Sequence, residues 1–449
     1  MPRSAAARPK RFAPHSKPEI DATTARVASR SRRSTPHGLP SMRRWTTVSF
    51  TLPFTAPPDV EVFAVEDTVA QIVWRRLPAG ELTLLAHHAS GSVTHHLGAA
   101  AEPGAADVSG FEPASSTRIE LFVDGRHLAT REVQTEPALD DGPITRIATI
   151  SDLHLGEEGF GLVRRLREPS DVVPYALRCA LAAVREAEAW GAELLVIKGD
   201  ITELGRPHEW ELFDDLLSAI SIPVVAVPGN HDTVGKRDSV DATAELQRRG
   251  LFAAPVVSHD LDGVRVVLAD STVPTHSWGR LGRHRDALVD AVSGDRPAMV
   301  FTHHHLEHRP LPWFWPLGVQ RFDNVGLVSD LAAANPDLLI SSGHTHRTRA
   351  RLEAGIAITE VGSTKDGPGV WAGYAVHRTG VRQVVRRVAE PSCVSWTERT
   401  HAVVAGVWGR WSPGRIEDRS LTHRWPSGPT APAPGRSDQM SSPLASERV

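Results

Sequence analysis

Two cysteines in 449 residues, Cys179 and Cys393, are too few to staple a small scaffold, which excludes the secreted folds framed by disulfides. Cys179 falls within an expected helix, where burial is its plain role, and free thiols fit a reducing, cytoplasmic compartment. No run approaches the roughly 18 to 20 apolar residues that a membrane span requires, so a soluble chain is expected. Nor is one sign of charge in excess. A formal net charge of −3 lacks the strongly basic balance of proteins that bind large nucleic acids, so any nucleotide partner is expected to be small.

The first 44 residues lack apolar periodicity and are rich in Arg, Lys, Ser and Pro. They cannot bury enough surface to offset chain entropy and are expected to form a disordered basic tail. The pairs Arg32-Arg33 and Arg43-Arg44 have the form of a twin-arginine export signal, but the apolar segment such a signal needs is missing, leaving export the minor alternative to the cytoplasm. Met42 offers a later start. Residues 426–449, rich in Pro and Ser, are expected to form a second disordered tail.

Between the tails, a hydrophobic content of 41% allows two or three domains. Residues 45–137 alternate in short runs broken by Gly, Pro and Ser, among them Val48-Ser49-Phe50, 69–74, 82–85 and 119–123, which predicts a small β-sandwich. Asp140-Asp141-Gly142-Pro143 reads as a linker. Residues 143–390 then alternate strand with helix, including expected helices over 174–190 and 207–220, and imply an α/β layered domain. A C-terminal extension, 391–425, carries Trp396, Trp408, Trp411 and Trp425, expected to pack against the preceding domain and assigned no function.

Five blocks in this α/β region each follow an apolar run of strand type, at 147–150, 194–197, 224–227, 299–301 and 338–340. They are Asp152-Leu153-His154, Gly199-Asp200, Gly229-Asn230-His231-Asp232, Thr302-His303-His304 and Gly343-His344-Thr345-His346. Ligands of open α/β sheets bind beyond the carboxyl ends of the strands, so five strand ends bearing oxygen and imidazole donors can converge on one point. Convergence is what a metal site needs.

In order and spacing these blocks resemble the calcineurin-like metallophosphoesterase superfamily, whose pattern reads D-x-H, G-D, G-N-H-D/E, H and G-H-x-H. The resemblance spans residues 144–377. Gly199-Asp200-Ile201-Thr202-Glu203-Leu204-Gly205, with Pro223 and Pro228 ahead of Asn230, looks most like the cyclic-nucleotide phosphodiesterase branch. The resemblance implies a four-layer α-β-β-α sandwich and a dinuclear centre. Asp152, His154 and His346 would bind one metal and Asn230, His303 and His344 the other, with Asp200 bridging both and a hydroxide between the ions as nucleophile. Such donors suit two divalent or trivalent ions of Mn, Fe, Zn or Co, and the absence of thiolate argues against a structural zinc knot. His231 matches the family's non-ligating histidine near the leaving group, with the alternative that it only supports a carboxylate such as Asp232. Of His303, His304 and His305, the family places its ligand at His303, and His304 either contacts substrate or supports the ligating imidazoles; His305 stands where relatives often carry proline, so a one-residue shift of the ligand to His304 is the alternative. The β-sandwich resembles a fibronectin type III module, which purple acid phosphatases carry ahead of their catalytic domain.

Two departures narrow the branch. Glu203 stands where purple acid phosphatases have a metal-binding tyrosine, which argues against their coloured di-iron centre. The Asp-Arg-Gly continuation of protein Ser/Thr phosphatases is also missing, which disfavours a phosphoprotein substrate. An insertion at 308–324 carries Trp313, Phe314 and Trp315 and serves either as a lid that stacks on a base or as a packed loop or dimer contact. The expected function is a phosphodiesterase acting on small nucleotides such as cyclic nucleoside monophosphates. The alternatives are a phosphomonoesterase or broad phosphodiesterase, and an inactive metal-stabilised interaction module. A chain starting near Asp140 is expected to fold and work without the β-sandwich.

Overall fold

The computed structural model describes residues 59–427 except 90, 140–141, 162–165, 169–172, 234, 236–237, 309–315 and 402–405. The expected tails, apart from Pro426 and Ser427, the strand at Val48-Ser49-Phe50 and the aromatics Trp313, Phe314 and Trp315 lie outside the described residues.

Seven strands open the described chain: β1 (Asp59–Val65), β2 (Val69–Arg75), β3 (Glu81–His88), β4 (Gly91–Ala99), β5 (Gly104–Ser109), β6 (Ser116–Val123) and β7 (Arg126–Gln134). They pair antiparallel into one sheet of order β1-β2-β5 and another of order β4-β3-β6-β7. Alternation explains the sheets. Leu82, Leu84 and Ala86 of β3 and Ile119, Leu121 and Val123 of β6 point inward against Ile72 and Trp74 of β2, while the residues between them face out. This region is all-β, as expected.

The α/β region runs β8 (Thr145–Ile150), the short pair β9 (Gly159–Phe160) and β10 (Leu166–Arg167), α1 (Tyr175–Ala189), β11 (Leu194–Lys198), α2 (Pro207–Ser218), β12 (Val224–Val227), α3 (Ala242–Arg248), β13 (Val256–Leu261), β14 (Val264–Ala269), α4 (Arg285–Val292), β15 (Ala298–Thr302), α5 (Arg321–Asn324), α6 (Leu327–Ala334), β16 (Leu338–Ser342), β17 (Arg349–Glu353), β18 (Ile356–Glu360), β19 (Val370–His377) and β20 (Gly380–Arg387). The expected helices over 174–190 and 207–220 are α1 and α2. Residues 391–425 follow as α7 (Pro391–His401), α8 (Val407–Trp411), α9 (Ile416–Arg419) and β21 (Ser420–Arg424).

Two six-stranded sheets result, of order β12-β11-β8-β19-β20-β21 and β13-β14-β15-β16-β18-β17. The second shows why four layers form. Val266, Leu268, Met299, Phe301, Leu339 and Ala357 pack toward the first sheet, whereas Val267, Ala269, Ala298, Val300, Leu338, Ile340, Ile356 and Ile358 pack with Leu288 and Val292 of α4 and Leu327 and Leu331 of α6. A strand buried on both faces must be apolar throughout, which is why these segments read as continuous hydrophobic runs. The fold is a mixed α/β sandwich, as expected.

The β-sandwich is docked onto this body. Phe63, Ala64 and Val73 belong to the same apolar core as the first six-stranded sheet. Arg419 donates to Phe63 O at 2.5 Å and pairs with Glu61 at 2.7 Å, and the Gln71 amide exchanges two hydrogen bonds with the Arg387 backbone. The C-terminal stretch is equally integrated, since β21 extends the first sheet beside β20 and the Trp425 indole donates to His377 O. Cys179 of α1 and Cys393 of α7 are both free and buried, and their thiols are in contact; that contact, with burial, holds the Cys179 thiol above its ordinary range. Among the described residues no helix is long and apolar enough to cross a membrane.

Candidate metal centre

Strands β8, β11 and β12 run parallel in the first sheet and β14, β15, β16 and β18 in the second, so their carboxyl ends open on a common edge. The loops leaving β8, β11, β12, β15 and β16 carry all five sequence blocks to that edge. The turns are tight. Asp152, His154, Asp200, His344 and His346 all have positive φ, between 47° and 69°, a region costly for side chains bearing a Cβ and held here by the surrounding packing. Gly199 is required for another reason: a Cβ there would lie 2.7 Å from His303 Nδ1 and 2.8 Å from the backbone of Gly229.

The donors form two groups around Asp200. On one side His154 Nε2 lies 3.7 Å from Asp200 Oδ2, and His346 Nε2 lies 3.4 Å from Asp152 Oδ1. On the other, His303 Nε2 lies 3.2 Å from Asp200 Oδ1 and 3.1 Å from Asn230 Oδ1. Backbone amides hold the carboxylates in place, His231 N–H donating to Asp200 Oδ1 at 2.8 Å and His344 N–H to both oxygens of Asp152 at 3.0 Å. All seven residues expected as ligands are thus brought to one place, and ligand-atom groupings compact enough for a cation include Asp152 with His154 and His346, and Asp152 with Asp200 and His303.

The four imidazoles share one arrangement. Each has its outer nitrogen against an oxygen: His154 Nδ1 on Glu203 Oε2 at 2.9 Å, His346 Nδ1 on Asp366 Oδ2 at 2.5 Å, His303 Nδ1 on Lys198 O at 2.8 Å and His344 Nε2 on Leu317 O at 2.9 Å. An outer N–H donated in this way leaves the inner nitrogen with its lone pair toward the centre, the tautomer a metal ligand needs. The inner nitrogens then crowd one another, His154 against His346 at 3.1 Å and His303 against His344 at 3.2 Å. Lone pairs at that separation repel unless a cation lies among them, so the residues present fit a metal pair.

Electrostatics agree. Burial, aided by the neighbouring histidines, drives the His344 pKa well below its ordinary value, so that ring is neutral. Burial also opposes charging of His346, but Asp366 and Asp152 outweigh it and raise its pKa to about 9. The field that would place a proton there favours any cation.

His231 stands apart as the most exposed histidine of the cluster, its side chain 35% accessible. Its Nδ1 lies 3.1 Å from Glu203 O and 3.3 Å from Glu203 Oε2, and although burial opposes charging, Asp200 and Glu203 raise its pKa to about 10. The carboxylate beside it is Glu203 and not Asp232, which is fully buried and accepts from Ile201 N, Thr202 N, Thr202 Oγ1 and Gly229 N. His304, expected as a substrate contact or a support for the ligating imidazoles, is also fully buried, with Nδ1 on Ser271 Oγ at 2.9 Å, and it forms with His303 and His344 a further grouping compact enough for a cation.

Three participants escaped the sequence reading. Glu203 registered only as a missing tyrosine, Asp366 lies 20 residues from His346 with no motif of its own, and Lys198 fell unread between the apolar run at 194–197 and Gly199-Asp200. Lys198 is completely buried beneath the centre, its Nζ donating to Ser341 Oγ and Ser342 O, and burial lowers its pKa to about 7 against the pull of Asp152 and Glu360. A signal existed for Glu203 alone, in its spacing from Asp200.

Residues 145–348 match the family profile described as calcineurin-like phosphoesterase. The chain carries a calcineurin-like phosphoesterase domain. A probable cyclic nucleotide phosphodiesterase of Synechococcus sp. is 28% identical over 221 residues, covering 46% of this chain and 75% of that protein. A glycerophosphodiester phosphodiesterase of Enterobacter lignolyticus is 28% identical over 214 residues, covering 44% and 70%. Among solved structures, the purple acid phosphatase of yellow lupin aligns over 74% of this chain and 72% of its own at 13% identity and a TM-score of 0.39, too distant to add to the fold read from the sheets. The protein is a metallophosphoesterase, an enzyme of phosphoric ester hydrolysis.

Proposed function

We propose that this phosphoesterase is a dinuclear phosphodiesterase of small nucleotides such as cyclic nucleoside monophosphates, with Asp152, His154 and His346 holding one ion, Asn230, His303 and His344 the other, and Asp200 shared. One observation carries the metal reading: four imidazoles, three of them buried and His346 half-buried, donate outward and turn bare nitrogens inward on two carboxylates and an amide. Such a metal pair, when bound, polarises the phosphate oxygens and supplies an activated water for in-line displacement. Imidazole, carboxylate and amide donors suit Mn, Fe, Zn and Co alike.

The chain's own residues do the rest. Asp200 presents one oxygen to each donor group and is locked by the His231 amide. His231 faces the accessible side of the centre with its Nδ1 occupied by Glu203, which leaves Nε2 to deliver a proton to the departing oxygen of the ester. Buried His304 supports this arrangement from behind through Ser271.

Diester chemistry is favoured by the relatives, since both reported proteins are named as phosphodiesterases, one for cyclic nucleotides and one for glycerophosphodiesters. A glycerophosphodiester is therefore the second reading of the substrate. Screening the metal-loaded protein against cyclic nucleotides, glycerophosphodiesters and phosphomonoesters tests the proposal. Turnover of cyclic nucleotides at least tenfold above the other two is the expected result, and preference for a monoester would overturn it.

A further inference from the structure

We infer that Trp396, Thr400 and Ser412, from the stretch expected to do no more than pack, are positioning residues of the metal centre that set His346 through Asp366. The inference rests on reading His346 as a metal ligand.

Asp366 is buried in the loop between β18 and β19, and its Oδ2 receives His346 Nδ1 at 2.5 Å. Three backbone groups flank it: the carbonyl of Lys365, and the N–H and carbonyl of Gly367. Side chains of the C-terminal stretch take all three. The Trp396 indole donates to Lys365 O at 2.8 Å, Gly367 N–H donates to Thr400 Oγ1 at 2.7 Å, and Ser412 Oγ donates to Gly367 O at 2.6 Å. Trp396, Thr400 and Ser412 are themselves buried, so these bonds are shielded from water.

The same stretch grips the chain just after His346. Thr348 N–H donates to Ser412 O at 2.8 Å, Arg349 Nη2 donates to Trp411 O at 2.9 Å, and the Arg347 guanidinium lies 4.2 Å over the Trp411 ring. The Trp408 ring stands edge-on to His346 with centroids 6.3 Å apart. His346 is therefore held at its ring, at its hydrogen-bond partner and at the following backbone by one segment more than 40 residues further along the chain. A packing segment has no need to satisfy both backbone polar groups of the residue next to Asp366. A segment that fixes the direction of that carboxylate does.

Outer partners of ligating histidines typically contribute about 10- to 100-fold in metal affinity. Thr400→Val keeps the shape and loses the hydroxyl, whereas Thr400→Ser keeps the hydroxyl and loses a methyl. Titration of the full-length, metal-free protein with Mn²⁺ or Zn²⁺, reading affinity and stoichiometry alongside the melting temperature, separates the two. Expected is a tenfold or greater loss at one of two sites for Thr400→Val, deepened in Thr400→Val/Ser412→Ala, with Thr400→Ser near wild type. If the variants melt early, Ser412→Ala alone is read against Ser412→Thr in the same way. Equal affinities for Val and Ser, or a greater loss in Ser, would overturn the inference. His346→Ala is the reference: loss of one ion there with unchanged ions in the hydroxyl variants discards the clamp alone, whereas two ions retained in His346→Ala discards the ligand reading beneath it.

Discussion

Asp200 is the residue on which the centre turns, because its two oxygens face opposite donor groups. Asp200→Ala is expected to abolish turnover and metal pairing together, while Asn230→Ala, removing one neutral ligand, weakens one ion first. Metal stoichiometry and rate on a single preparation check both, and two tightly held ions with near-normal turnover in Asp200→Ala would refute the shared role. His231 allows a finer test. General acid catalysis contributes about 10²- to 10⁴-fold, and less when the leaving group is stable without a proton. His231→Asn should therefore slow release of an alkoxide far more than release of nitrophenolate, with metal content unchanged. Equal losses on the two substrates would leave His231 a supporting role beside Glu203.

Helix α1 shows how an element ties the layers together. Its apolar side, including Leu177, Ala180, Val184 and Ala187, is the one periodicity predicts, and it covers the first sheet. Glu186 on the same helix accepts from the Trp371 indole of β19 at 3.0 Å and from Ala389 N–H at 2.8 Å. Burial outweighs these bonds and raises the Glu186 pKa from 4.5 to about 7. The folded state thus binds the proton more tightly than the unfolded state, so this contribution to stability is complete below about pH 4.5 and is lost as pH rises through about 7. Urea unfolding at pH 5 and pH 8 is expected to show that decline, and Glu186→Gln should flatten it by on the order of 1–2 kcal/mol. An undiminished pH slope in the variant would place its origin elsewhere.

Across the whole molecule the β-sandwich and the phosphoesterase body share a core as well as polar contacts. A chain starting at residue 140 would lose the Glu61 partner of Arg419, strip the Gln71 amide from Arg387 and open the apolar surface that Phe63, Ala64 and Val73 cover. The interface thus changes the expectation for a truncation: a melting temperature lower by on the order of 10 °C, with association on size exclusion, even if some metal-dependent activity survives. A monomeric truncated chain that melts with the parent would restore the picture of an independent catalytic unit.

The sequence by itself determined the layered α/β core, helices α1 and α2, the all-β region ahead of them and the set of donors at the strand ends. These were legible because burial on both faces demands continuous apolar runs, and because each donor sits within a few residues of the strand that delivers it. Tertiary structure alone decided how the donors are held. Glu203 reaches His154 and His231, Asp366 reaches His346, and Lys198 lies beneath the centre through contacts made only after the two sheets face each other. The same holds for the tryptophans of residues 391–425. The burial of Trp396 and Trp425 could be expected from their size, but the partners could not, since Trp396, Thr400 and Ser412 act on a loop that carries no pattern of its own and meets them only once β19 and β20 have paired between.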